Sequence, residues 1–306
     1  MTAPGDLAGL LAQGEHATFH GKPADAVGVL EQAVVLAQAQ GRTAEVAAAA
    51  WLLGVALGAG GRYGGALTVL SRLVEAGQAP GAPLERRLFG ALAGATTASV
   101  HRQLGRHAVA READLAALAL RDTGPEAQFD ALLGLASDAV GLDEPDEAAA
   151  RLAQAADLLP GRGDEWWRQR VRLEWTTAEI AVLEGRAAEA VVVAHSAVER
   201  AERARAPRHV AKGLLIQGIA LVSADEDDAA GTLRRAATLA ESLGTLPLVW
   251  PARALLGALV AGRDPQESAR SLAAARSAVH AVAADLPPAV RARWLARPDV
   301  AALLAG

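Results

Sequence analysis

Trp51-Leu52-Leu53-Gly54, continued by Leu57, Gly61, Ala66 and Leu70, is the stretch on which the fold turns. Steps of three and four residues put Trp51, Gly54 and Leu57 on one helix. Gly54 falls mid-helix, where a small residue lets a neighbouring helix approach closely. Gly61 stands seven residues later, where a left-handed C′ residue ends a helix. Ala66 and Leu70 then open a second helix that faces the first.

These offsets recur along the chain. They run from Gly14 to Gly21, Ala26, Leu30 and Ala33, and from Ala98 to Gly105, Ala110, Asp114 and Ala117. They continue from Ala136 to Asp143, Ala148, Leu152 and Ala155, and from Ala178 to Gly185, Ala190, Ala194 and Ala197. A sixth copy runs from Gly218 through Asp225, Ala230 and Arg234 to Ala237, and a weaker seventh from Gly257 through Asp264 and Ala269 to Ala273. Where the turn residue is Asp, an N-cap of the second helix is expected. A period of about 40 residues is that of a helical-hairpin solenoid. Pro23, Pro145 and Pro265 stand at the starts of second helices, a position Pro favours. Helices are expected at 5–20, 23–40, 43–59, 62–76, 84–104, 107–121, 125–140, 145–159, 164–184, 187–204, 207–223, 226–243, 248–261 and 265–284. No stretch alternates as a strand would. The expected architecture is all-α: a right-handed superhelical solenoid of about seven helix-turn-helix repeats. These lie at 5–40, 43–78, 84–122, 125–160, 164–205, 207–244 and 248–284, with a capping helix in 285–306. One solenoid domain, 1–306, is expected, shaped as an elongated curved rod.

Composition agrees and excludes several chemistries. Ala is the commonest of the 306 residues and Leu the next, while the aromatics are six Trp, three Phe and one Tyr. Helix formers dominate. With no Cys there is no disulfide framework, thiolate nucleophile or Cys-ligated metal. A net charge of -5 argues against a nucleic-acid partner, which needs a basic footprint. No apolar run reaches the roughly 18 residues of a membrane span. Met1-Thr2-Ala3-Pro4-Gly5-Asp6 lacks the basic and apolar regions of a secretory leader. A cytoplasmic protein without membrane contact is expected. Lys occurs only at 22 and 212, so nearly all positive charge is Arg.

The repeat resembles the tetratricopeptide repeat family, most closely at Trp51-Leu52-Leu53-Gly54…Leu57…Gly61…Ala66…Leu70 and at Ala148…Leu152…Ala155…Pro160. Its period exceeds the family's usual length, and Asp114, Ala194 and Arg234 stand where a bulky apolar residue is typical. The longer period is similar to the repeat region of large bacterial signal-transduction ATPases, including maltotriose-responsive-type transcription activators. The C-terminal Leu286-Pro287-Pro288…Trp294-Leu295…Arg297-Pro298-Asp299-Val300 resembles the tail that closes such arrays. The resemblance implies a groove lined by first helices that holds a partner. Its groove positions fall here on Glu15, Trp51, Thr96, Ser99, Arg102, Asp130, Ser137, Arg172, Trp175, Glu179 and Lys212. Trp and Arg are enriched among binding hot spots; equally, Trp51 and Trp175 could fill the core between first helices. Consecutive helical residues point about 100° apart, so of Trp166 and Trp167 one could stand exposed as an anchor for a partner, or the pair could pack on the preceding hairpin and loop.

Catalytic and cofactor motifs do not assemble. His16 and His20 share a helix face but number too few for a zinc site. Gly58-Ala59-Gly60-Gly61-Arg62-Tyr63-Gly64-Gly65 has the look of a phosphate loop, yet a helix, not a strand, precedes it. Asp225-Glu226-Asp227-Asp228 lacks the central Gly and distal Glu of a calcium loop. No metal, cofactor or catalytic residue is expected. The sequence therefore reads as a non-enzymatic interaction module, a scaffold or regulatory adaptor in bacterial signalling or complex assembly, whose groove takes a partner's peptide, helix or loop. The alternative is a sensor whose groove binds a small molecule or peptide to regulate transcription or an associated ATPase. Trp294 and Leu295 leave monomer and homodimer open.

Overall fold

The computed structural model describes residues 6–306. The first residue of repeat one and the leader reading of Met1–Gly5 fall outside them. Seven helical hairpins follow in order. They are α1 (Leu7–His20) with α2 (Pro23–Ala39), α3 (Thr43–Gly60) with α4 (Tyr63–Gln78), α5 (Leu84–Gln103) with α6 (His107–Ala119), and α7 (Gly124–Gly141) with α8 (Pro145–Ala156). A 3₁₀ turn at Asp164–Trp166 leads into α9 (Trp167–Leu183), paired with α10 (Ala187–Arg203). Then come α11 (Pro207–Ser223) with α12 (Ala229–Leu243) and α13 (Leu246–Val260) with α14 (Pro265–Ala284). Each helix packs on the next, and the hairpins build a right-handed superhelical solenoid with no strand among the described residues.

The mid-helix glycines explain how the hairpins close. A Cβ on Gly54 would lie 2.5 Å from Cδ2 of Leu70, and one on Gly218 would lie 2.5 Å from Cδ2 of Leu233. Gly14 is filled in the same way by Leu30. Each Leu is wholly buried and occupies the space a side chain would need. The sixth and seventh copies are corrected by one residue: Leu233 and Leu272, not Arg234 and Ala273, face Gly218 and Gly257. One residue is about 100° of helix, so Arg234 turns to solvent and reaches Glu267 at 2.7 Å. The turn residues are corrected as well. Asp143 and Asp225 sit at φ 62° and 57°, in the left-handed conformation that Gly61, Gly105 and Gly185 adopt elsewhere, rather than as N-caps. Only Asp264 caps a helix there, accepting from Glu267 N at 2.8 Å. Since a side chain in that conformation is strained, Asp225→Gly is expected to stabilise the chain by about 0.5 kcal/mol, net of the entropy Gly adds to the unfolded state. Urea denaturation reads the shift directly; a loss of stability would contradict the assignment.

The solenoid is not the open rod expected. The α1 helix packs on α11, and α3 packs on α13. The register thus advances five hairpins per turn (six minus one, seven minus two), and the ends of the array meet. The glycine-rich turn between α3 and α4 makes this possible. Gly61, at φ 86°, would place a Cβ 2.9 Å from Val282 and 3.3 Å from Leu246. Helix α4 has no side-chain cap of its own. Asp285, more than 200 residues away, supplies it: its Oδ2 accepts from Gly64 N at 2.6 Å and Gly65 N at 3.2 Å. The apparent phosphate loop is the docking surface for the last hairpin.

The tail also departs from expectation. It forms two short helices, α15 (Pro288–Leu295) and α16 (Pro298–Ala305), because Pro298 restarts the chain after α15. Trp294 and Val300 are buried beside Tyr63, Val100 and Leu104, and Arg297 Nη1 donates to Gln103 O at 3.3 Å. Trp294 thus closes the coil internally and is not presented for a second copy. Helix α3 is long and apolar enough to cross a membrane by length and composition, with a mean hydropathy of 1.5 over 18 residues. Here α1, α2, α4, α5 and α13 all pack around it. Its apolar faces are taken up by these neighbours and, at Trp51 and Val55, by the inner wall of the coil.

Candidate functional site

Closure turns the concave face into a channel. Its cavity measures about 440 Å³ and is walled by α3, α5, α7, α9 and α11, with Phe19 of α1 and Pro247 and Leu248 of α13 at the seam. Helical spacing determines what faces inward. Successive channel positions lie three or four residues apart: Trp51 and Val55, Thr96, Ser99 and Gln103, Arg168, Arg172 and Trp175, Arg208 and Lys212.

Of the expected groove residues, Trp51, Thr96, Ser99, Arg102, Asp130, Ser137, Arg172, Trp175, Glu179 and Lys212 come together on this wall. Glu15 does not: it is exposed on α1, and Phe19, one turn on, takes the inward position. The exposed anchor is not found either. Trp166 is buried edge-on against Phe129, with Arg162 over its ring at 4.9 Å. Trp167 packs across the seam, its ring 5.0 Å from His209 and 5.4 Å from His20. Trp166 is covered by the preceding hairpin and its loop, and Trp167 by α11 together with His20, which only ring closure brings into reach.

Trp51 and Trp175 each pack and line the channel. Trp51 Nε1 donates to Thr96 Oγ1 at 3.1 Å, which in turn donates to Leu92 O at 2.7 Å. The Trp175 ring is stacked on His209, with centroids 5.4 Å apart and planes 17° apart, and carries Lys212 Nζ at 4.9 Å from its centroid. Ser137 and Thr176 hydroxyls bond at 3.3 Å.

Charge in the channel divides into two locked groups and one open one. Arg102 Nη1 lies 2.5 Å from Asp114 Oδ2 and 3.1 Å from Asp138 Oδ1, and donates to Gly134 O at 3.1 Å. Asp114 stands where other repeats carry Leu30 or Leu70, and it is fully buried. Burial pushes Asp114 well above the usual carboxylate range and raises Asp138 too, against the pull of Arg102. In the second group, Arg172 pairs with Asp130, and Arg168 reaches Glu126 at 3.0 Å and Asp130 at 3.5 Å. Burial opposes the Asp130 charge, but the two guanidiniums outweigh it and hold its carboxyl low. The open group is Arg208 and Lys212 on α11, for which no salt bridge forms among the described residues. Burial, then repulsion from Arg172 and Arg168, drops Arg208 to about 10; burial lowers Lys212 as well. His209 lies between them, 1% exposed, and burial with the neighbouring arginines holds it well below its ordinary value, neutral at neutral pH.

Sequence reasoning missed Phe19, Arg168, Arg208 and His209. The heptad-like step from Arg168 to Arg172 and from Arg208 to Lys212 was a usable signal for two of them. Phe19 enters only because the array closes.

No family model and no curated protein matches the chain. Among solved structures it is similar to a Rap protein complexed with Competence and Sporulation Factor, with a TM-score of 0.67 and 13% sequence identity over 97% of this chain and 80% of that one. It also aligns with the apo form of RapI, with a TM-score of 0.47 and 12% identity over 90% of this chain and 77% of that one. The first likeness is one of fold: a tetratricopeptide-like helical array.

Proposed function

We propose that this chain acts as one non-enzymatic binding unit, and that its channel takes a short peptide or an extended segment of a partner protein. One observation carries the reading: a single cavity of about 440 Å³ joins aromatic walls, neutral hydrogen-bonding side chains and charge drawn from five first helices. That volume falls in the range of about 300–1,000 Å³ typical of ligand pockets. The hydroxyls of Thr96, Ser99 and Ser137 with the amide of Gln103 suit peptide groups, while Trp51, Phe19 and Ile216 suit apolar side chains. The fold neighbour's complex with Competence and Sporulation Factor supports a role in holding a factor of this kind. A regulatory adaptor of bacterial cytoplasmic signalling is the role that fits. Resemblance to the repeat region of signal-transduction ATPases suggests coupling to a separate output protein.

The cavity size also favours a second reading, a sensor for a small molecule. One experiment separates the two. Wild type and Ser99→Trp, whose indole would fill the channel, are exposed to a random pentapeptide mixture and to a metabolite panel, and retained species are identified by mass spectrometry. Peptides retained by wild type and lost from Ser99→Trp, with unchanged circular dichroism, are the expected result. Retention of metabolites alone would favour the sensor. Equal peptide retention by both proteins would remove the channel from the account.

A further inference from the structure

The channel is lined by five cationic side chains, Arg102, Arg168, Arg172, Arg208 and Lys212, but by only two carboxylates, Asp130 and Glu179. Asp114, Asp138 and Glu126 neutralise the first three from behind, together with Asp130. That leaves Arg208 and Lys212, one helical turn apart on α11, facing Glu179 alone, and no salt bridge joins them to it.

The cost of this arrangement is visible around it. Arg208 is the second residue of α11, beside the positive end of the helix dipole, where a cation is disfavoured and an anion favoured. No acidic residue occupies that first turn. Arg208 Nε is buried without a partner, and so is Nδ1 of His209, a cavity-lining residue that is 1% exposed. Buried polar groups of a folded chain are nearly always bonded. Two unpartnered buried nitrogens lie beside Arg208, which pairs with no carboxylate, and Lys212, which rests only on the Trp175 ring, and this is a setting that suits an anion. Elsewhere the cavity wall is neutral and hydrogen-bonding at Thr96 and Ser99 and apolar at Val55, while Phe19 stands beside His209. A free inorganic anion would use none of those groups. A peptide carrying one carboxylate would use all of them.

We propose that Arg208 and Lys212 form the anion subsite of the channel and bind a carboxylate of the peptide ligand, from either its C-terminus or an acidic side chain. The proposal rests on the reading that the channel holds a peptide. The arrangement also separates binding from folding: these two cations weaken the empty protein and act only when the ligand arrives.

The test uses the whole chain and three synthetic pentapeptide mixtures: free-acid peptides without Asp or Glu, C-terminally amidated peptides containing Asp or Glu, and amidated peptides with neither. Retention is measured by affinity selection on wild type and on Arg208→Gln/Lys212→Gln. Wild type is expected to retain at least one carboxylate-bearing mixture at least tenfold better than the uncharged one. Enrichment of the first mixture assigns the C-terminus, and of the second an acidic side chain. The double variant is expected to lose that preference while melting at a higher temperature than wild type, because uncompensated buried charge has been removed. A residue pair with a purely structural role would lower the melting temperature instead, and that outcome would overturn the proposal. Equal retention of the uncharged mixture would overturn it too, leaving the peptide channel standing. Retention of no mixture would remove both.

Discussion

Replacing Gly64 by Ala is expected to unlatch the superhelix. Its Cβ would be driven inside contact distance of the Asp285 carbonyl oxygen, a backbone atom that no rotamer change can move away. The same residue's N–H donates to Asp285 Oδ2 at 2.6 Å, so relief of the clash also breaks the cap on α4. With Asp285 go its neighbours Val282, Leu286 and Trp294, all buried in the core they share with Tyr63 and Leu70. Losing the cap costs about 1 kcal/mol, and loosening part of that apolar contact brings the total to about 3 kcal/mol. At about 2–4 °C per kcal/mol the melting temperature falls by about 6–12 °C. The sign decides the matter. In an open rod Gly64 would be an ordinary helical position, where Ala is favoured by about 1 kcal/mol. A closed coil predicts destabilisation and a larger radius of gyration by solution scattering. A rise in melting temperature at constant radius would mean that the first and last hairpins do not meet.

The contrast shows which parts of the molecule the sequence could reveal. Hairpins were legible because their determinants are local: Gly54 and Leu70 lie 16 residues apart, and Pro23, Pro145 and Pro265 mark where second helices start. The inward positions were legible for the same reason, since three- and four-residue steps on each first helix fix a face once the hairpin is known. Closure was not, because it depends on contacts such as Gly64 with Asp285 and His20 Nδ1 with Arg205 O, at 3.4 Å, which span most of the chain. A small change in rotation per hairpin accumulates over five of them, and no single spacing encodes the sum. Two readings that closure decides were correspondingly misplaced: the free face offered to Trp167 and the inward place given to Glu15. Asp114 is a different case. It breaks the apolar rule of its position because its charge is used, by Arg102, inside the wall.

That use sets the second large effect. Arg102→Met is expected to destabilise the chain by about 3–5 kcal/mol at pH 8, the cost of stranding buried charge without its partner. Both carboxylates left behind, Asp114 and Asp138, have fully buried side chains. Even with Arg102 in place, burial already raises them above the usual carboxylate range, and without it they rise further. A carboxyl raised in the folded state binds its proton more tightly there than in the unfolded chain. Stability is therefore greatest at acid pH and falls as pH rises from the unfolded value of about 4 through the folded one, by up to about 1.4 kcal/mol per pH unit for each extra proton held. The defect of Arg102→Met should shrink between pH 8 and pH 5, read by urea denaturation at each. Arg102→Met/Asp114→Leu/Asp138→Ala removes every charge at once and puts at 114 the residue type that Leu30 and Leu70 supply at the matching repeat position, here against Gly134; it is expected to recover most of the loss at both pH values. A deficit in Arg102→Met that is the same at pH 5 and pH 8 would show that the carboxylates do not change protonation there. Arg102 would then act through packing, and the division of the channel into locked arginines and an open Arg208–Lys212 pair would lose its basis.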